Sequence, residues 1–157
     1  MAWTGNSVQC GRPALRYDTV EAAKGNAMAR PVLSVVVGIV AWVALVIAID
    51  FVMSKFWPEY EAAKPLYAFT LPMMLARLTE STIALVAAAI VTARIAPLSR
   101  SAPWALGIVM LLFFIPVHYS LWDKFPVWYH AYFLTSLVAV PVIVGSIVGS
   151  KPSVAVS

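Results

Sequence analysis

The chain has 157 residues, the length of one domain. Hydrophobic residues make up 62% and charged residues 11%, at a mean hydropathy of +0.86, where a soluble domain has about 45–50% and about 25%. So short a chain cannot bury that much apolar surface inside itself, which excludes a soluble domain and sends the excess to lipid. The net charge of +4 comes from basic residues scattered near the ends of apolar runs. Membrane topology explains that pattern, and no basic stripe or motif points to a nucleic acid. The single cysteine, Cys10, allows neither an internal disulfide nor a C-x-x-C redox pair.

Residues 1–27 are polar, without an apolar period, and read as a disordered or surface-lying tail. An alternative start at Met28 would make them an over-extended gene reading. Span one is expected from 31 to 51. Nineteen residues between Arg30 and Asp50 carry no charge, enough to cross a hydrocarbon core of about 30 Å. The run is too long for a signal peptide and lacks an A-x-A site, so it stays uncleaved.

Residues 52–66 form a mixed-charge loop with two prolines. Span two, 67–95, is interrupted by Arg77 and Glu80 and then becomes alanine-rich. Span three runs from 102 to 122 and span four from 126 to 149, joined by a tight turn at Asp123, Lys124 and Phe125. Pro116 and Pro141 lie inside these spans, where transmembrane helices tolerate them. The membrane domain is thus 28–151, with a short tail at 152–157.

The fold class is all-α, and short connections make a membrane-embedded up-down four-helix bundle the economical architecture. Small residues four apart, Ser34 with Gly38, Ala84 with Ala88 and Gly145 with Gly149, share helix faces suited to close packing. That packing is read as internal to the monomer. A homo-oligomer or a membrane-protein partner stays open, and the lipid bilayer is the one partner implied directly.

Lys and Arg set the orientation. One side has Arg12, Arg16, Lys24, Arg30, Arg94, Arg100 and Lys151, and the other has Lys55, Lys64 and Lys124. The richer side is expected in the cytoplasm with both termini. Asp50, Arg77, Glu80, His118 and His130 then all fall in the outer half, while the inner half has almost no ionisable residue within a span. That asymmetry is the strongest functional signal in the sequence.

Arg77 and Glu80 are three apart, share a face and are expected to turn inward as a pair. They could fix the rotation of span two, or serve as a proton or anion site. His118 and His130 flank the tight turn and can reach one point. Two imidazoles and a carboxylate can hold a metal, but no H-E-x-x-H motif is present, so the two histidines are weak metal candidates and no metal site is assigned. Aromatics crowd the same side: Phe51, Trp57, Tyr60, Tyr67, Tyr119, Trp122, Phe125, Trp128, Tyr129 and Tyr132. An interfacial belt explains most of them, Trp122, Trp128 and Tyr129 included. A flat slot for a quinone or another lipid-like ligand is the sharper alternative. Ser81, Thr82, Thr135 and Ser136 sit inside helices, where hydroxyls commonly bond back to the preceding turn.

No phosphate loop, nucleophile elbow or paired-carboxylate motif occurs. No catalytic residue and no cofactor are implied. The stretch LWDKFPVWYHAYFL, with Trp122, Pro126, Trp128, Tyr129 and His130, resembles a segment of small uncharacterised four-span bacterial membrane proteins. The resemblance implies a bacterial inner-membrane location and assigns no role to any residue. The leading expectation is a non-enzymatic accessory, scaffold or lipid-binding bundle. The alternatives are a small oligomeric carrier using Arg77 and Glu80, and a membrane enzyme or quinone-binding subunit with an outer His/Glu site.

Overall fold

A computed structural model describes the chain over residues 15–149, with side chains over 29–148. Five helices follow in order: α1 (Leu15–Phe56), α2 (Pro58–Ala63), α3 (Leu71–Ile95), α4 (Ser101–Ser120) and α5 (Val127–Gly149). The four long helices each carry a stretch long and apolar enough to cross a membrane, within Ala29–Phe56, Leu71–Ile95, Ser101–Ser120 and Val127–Val148. The chain is a helical membrane protein.

Local chemistry sets the boundaries. Pro58 opens α2 and Pro72 sits in the first turn of α3, where a missing N–H costs nothing. Pro31, Pro116 and Pro141 lie inside helices, as expected of the last two.

Two expectations change at the first span. α1 starts at Leu15, well before Pro31, because residues 15–24 include Leu, Arg, Glu, Ala and Lys, all good helix formers. The tail expected at 1–27 is therefore helical from 15, and its first 14 residues, like the tail at 152–157, lie outside the described residues. Second, the loop at 52–66 is mostly helical. α1 runs on to Phe56, and PEYEAA forms α2. The irregular link moves to 64–70 and contains Tyr67 at φ 53°, a left-handed conformation uncommon outside glycine.

Small side chains decide which helices meet. α3 packs mainly on α1 and α5, and α4 packs on α5 and, over a shorter seam, on α1. α3 and α4 touch little although a five-residue link joins them, so the short link there does not make closest neighbours. α1 and α5 lie diagonally opposite.

The α1–α3 seam brings Ser34 and Gly38 against Ala84, Ala88 and Thr92. Ser34, Ala84, Ala88 and Thr92 are fully buried. The Thr92 hydroxyl donates to the Ser34 carbonyl at 3.2 Å. A β-carbon at Gly38 would collide with Thr92 Oγ1 and lie 3.2 Å from the Ala88 carbonyl. Gly107 meets the α5 backbone at Leu137 and Val138, and Gly145 meets the Pro103 ring. The small faces described thus serve packing within one chain; Gly149, whose side is not described, adds nothing to this.

The outside of α1 is the reverse. Val32, Val36, Val40, Val43 and Ile47 recur every three or four residues and are 42–64% exposed. Apolar residues face outward and small ones inward, as a lipid solvent requires.

Candidate functional site

The diagonal gap between α1 and α5 becomes a cavity of about 460 Å³ near the α2 end of the bundle. α1 contributes Trp42, Val46, Ile47 and Asp50. α3 contributes Arg77, Glu80 and Ser81, and α4 contributes Phe114, Val117 and His118. α5 adds Tyr129 and Phe133, and the connecting segments add Lys64, Tyr67, Phe69, Leu121 and Phe125. Asp50, Arg77, Glu80 and His118, four of the five polar positions singled out in the sequence, therefore line one space. His130 sits directly behind it, bonded to His118.

Arg77 and Glu80 both turn inward, but they do not pair. Among the described residues the ion pairs are Lys64–Asp50 at 2.6 Å and Lys64–Glu61 at 2.9 Å. Arg77 Nη1 instead donates to the Tyr60 hydroxyl at 2.9 Å, and its guanidinium lies 4.9 Å from the centre of the Phe69 ring, a cation–π distance. Residues three apart share a face, yet Tyr60 draws Arg77 toward α2 and away from the deeper carboxyl. Tyr60 is fully buried and passes the network on, donating to Asp50 Oδ1 at 2.9 Å. Burial holds its phenol well above the ordinary tyrosine value; Arg77 opposes that shift and Asp50 adds to it. The phenol therefore keeps its proton and donates.

Lys64 closes the α2 end. It donates to Asp50 Oδ2 and to Ser54 Oγ at 2.5 Å. Partial burial lowers its pKa, but bonds to Asp50 and Glu61 outweigh that and raise it. Hydrogen bonds from Ser54 and Lys64 hold the Glu61 carboxyl below its usual range. The signs are opposite. The Lys64 contribution is present below the ordinary lysine pKa and is lost as pH rises through the raised value. The Glu61 contribution is present above the ordinary glutamate pKa and is lost as pH falls through the depressed one. The α2 closure is thus tightest through the neutral range.

The histidines meet as the short turn implied. Their Nδ1 atoms stand 2.7 Å apart, and both rings are buried. One Nδ1 donates and the other accepts. Two nitrogens on one zinc would stand about 3.4 Å apart, so this spacing is that of a hydrogen bond. Among the described residues no group of three His, Cys, Asp or Glu is placed to hold a metal. Trp122 stacks on His130 at 4.7 Å and 17°.

The aromatics divide into two sets. Phe51, Phe56, Tyr67, Tyr119, Trp122, Trp128 and Tyr132 are 41–85% exposed, which suits an interfacial belt. Tyr60, Phe125 and Tyr129 are buried. Tyr129, grouped with the belt by the sequence pattern, belongs to the cavity wall. Phe69, Phe125, Tyr129 and His118 form a ladder of near-parallel rings, with interplanar angles of 17°, 15° and 23°.

Among the described residues five buried polar side-chain atoms have no hydrogen-bond partner: Trp42 Nε1, Arg77 Nε, Glu80 Oε1, Ser81 Oγ and His130 Nε2. The first four belong to residues lining the cavity. Thr82 and Ser136 bond back to Leu78 and Phe133 as expected; Ser81 does not. Native proteins leave few such groups, and each calls for an explanation. These four atoms are occluded from the cavity that their residues line, so each is reached only by a small shift of its side chain.

Trp42, Tyr60, Lys64 and Phe69 escaped the sequence reading as site residues. Trp42 reads as one more apolar residue of span one and Phe69 as part of span two, while Tyr60 and Lys64 fall in the expected loop. The E-Y-E-A-A-K spacing, with Glu61 and Lys64 three apart, was the available sign of a helix there. Comparison with known proteins returns no family model, no curated protein and no solved structure that matches this chain.

Proposed function

We propose that this chain is a non-enzymatic ligand-binding bundle of the bacterial inner membrane, holding a lipid-like molecule in the cavity between α1 and α5. The observation that carries the reading is one aromatic-walled space of about 460 Å³ lined by Asp50, Arg77, Glu80 and His118. A small-molecule site is mostly apolar with a few convergent polar groups, and this cavity has that composition. Ile47 and Val117, 63% and 36% exposed, line its rim on α1 and α4. Those two helices share a short seam, which favours entry sideways from the bilayer. The excess of Lys and Arg at the opposite end favours a periplasmic α2 end and cytoplasmic termini.

Native mass spectrometry of the full chain released from nanodiscs tests this. A reproducible added mass of lipid-like size is expected, lost on substitution of Trp42 or Glu80 but kept on substitution of the lipid-facing Val36. A chain that always emerges bare overturns the reading.

A further inference from the structure

The basic end of the bundle holds a second cavity, of about 340 Å³, far from the site above. It opens where α3 and α4 touch little. Ala93 on α3 and Gly145 on α5 line it, with Pro103 and Trp104 at the start of α4. The small side chains at 93 and 145 leave open a notch that larger residues would fill. Ser99 and Arg100, in the link between α3 and α4, add its polar edge.

Charge at this end has one sign. Residues 81–122 and 124–157 contain no Asp or Glu, so the elements around this cavity offer Arg100 no carboxylate there. Among the described residues every ion pair belongs to Lys64, at the other end of the bundle. Arg100 is exposed, and its charge is left for an anion from outside the chain. Ser99 Oγ and Ser101 Oγ stand 3.1 Å apart. One hydroxyl proton serves that bond, and the second can donate to an anion's oxygen.

The surroundings suit a lipid better than a free ion. Trp104, Ile108 and Leu112 follow one another at four-residue spacing on α4 and are 47–65% exposed, so an apolar stripe runs from the cavity along the outside of the bundle. A tryptophan at the end of a span sits at head-group level. Leu98, in the same link as Arg100, is 98% exposed and gains by lying among acyl chains rather than in water.

We propose that this cavity binds the head group of an anionic phospholipid, its phosphate against Arg100 and the Ser99–Ser101 hydroxyls and an acyl chain along the Trp104 stripe. Basic pockets between transmembrane helices suit such head groups. The site is separate from the cavity between α1 and α5 and does not depend on what that cavity holds.

The test uses the full chain in a mild non-ionic detergent, titrated separately with phosphatidylglycerol and with phosphatidylcholine, and counts bound lipid by native mass spectrometry. Both lipids carry the phosphate, but phosphatidylcholine carries a cation beyond it. One saturable phosphatidylglycerol per chain is expected, added to any mass already bound. It should bind about fivefold tighter than phosphatidylcholine, the scale of one basic side chain at an anionic surface. Arg100→Gln is expected to abolish that preference and Arg30→Gln to keep it. Arg30 is equally exposed at the same end but does not line the cavity. Glu80→Leu, a change in the other cavity, is expected to keep the preference as well. Equal affinity for the two lipids overturns the proposal. So does an equal loss in the two arginine variants, which is the behaviour of a diffuse positive surface. Loss in Glu80→Leu would move the lipid to the cavity between α1 and α5 and overturn this site. Displacement of the lipid by inorganic phosphate alone would make the site one for a free anion and overturn the lipid assignment.

Discussion

Replacing Glu80 with leucine is expected to raise the thermal stability of the bundle while abolishing ligand retention. The carboxyl is buried, its Oε1 has no partner, and Arg77 is turned away to Tyr60. An unsatisfied buried polar group costs about 1–3 kcal/mol. Leucine has a similar volume and no polar atom, so it removes that cost without opening a gap in the wall. At roughly 2–4 °C per kcal/mol for a chain of this size, the gain is on the order of 5 °C. Sites that bind ligands commonly trade stability for function in this way. A structural ion pair makes the opposite prediction, because removing one partner of a buried pair destabilises strongly. Thermal unfolding followed by circular dichroism, with native mass spectrometry on the same samples, separates the two. A variant that melts lower and still carries its ligand would make Glu80 a structural group.

The second large effect is steric. Gly38→Leu is expected to destabilise the bundle by about 3 kcal/mol, the upper end for overpacking in a tight interior. Even one carbon at position 38 collides with Thr92 Oγ1 and crowds the Ala88 carbonyl. Leucine must push α1 off α3 along the largest seam of the fold. Thr92→Ala in the same chain is expected to recover part of the loss, because it removes the hydroxyl that the new side chain meets. The pair is close enough for the two changes to couple. Unfolding in mixed detergent micelles measures both. A Gly38→Leu chain within about 0.5 kcal/mol of the parent, the range of an ordinary surface change, would show that the seam is looser than its geometry.

Most of the architecture was legible in the sequence because lipid imposes a simple rule: about 20 apolar residues per crossing. The ends of spans three and four fall within two residues of the expected positions. Convergence at one end was legible too, since depth along each span follows from residue counting, and His118 and His130 meet as the tight turn requires. What escaped was lateral order. Counting residues says how deep Trp42 lies, but not that it lines one cavity with Glu80 and Arg77. The Arg77–Glu80 pair failed for a related reason. Spacing along one helix predicts a neighbour, but Tyr60, 17 residues away in sequence, competes for Arg77 and wins. The segment 58–64 reads as a loop because its proline and charges suit one, whereas the buried Tyr60 and Ala63 fold it into a helical turn against Met73.

That small helix has a consequence for how the molecule fluctuates. α2 has six residues, too few to persist alone in water. It stays folded through one buried ring and the polar bonds around Lys64 and Asp50, whereas the long helices are held by backbone-close packing. The two therefore open at different free energies. Backbone amides of 59–64 are expected to exchange with solvent deuterium in a brief local unfolding that leaves α1, α3, α4 and α5 protected. Each such event would release Asp50 and Arg77 from Tyr60 and Lys64, so the polar end of the cavity is expected to be wetted intermittently through a breathing strap.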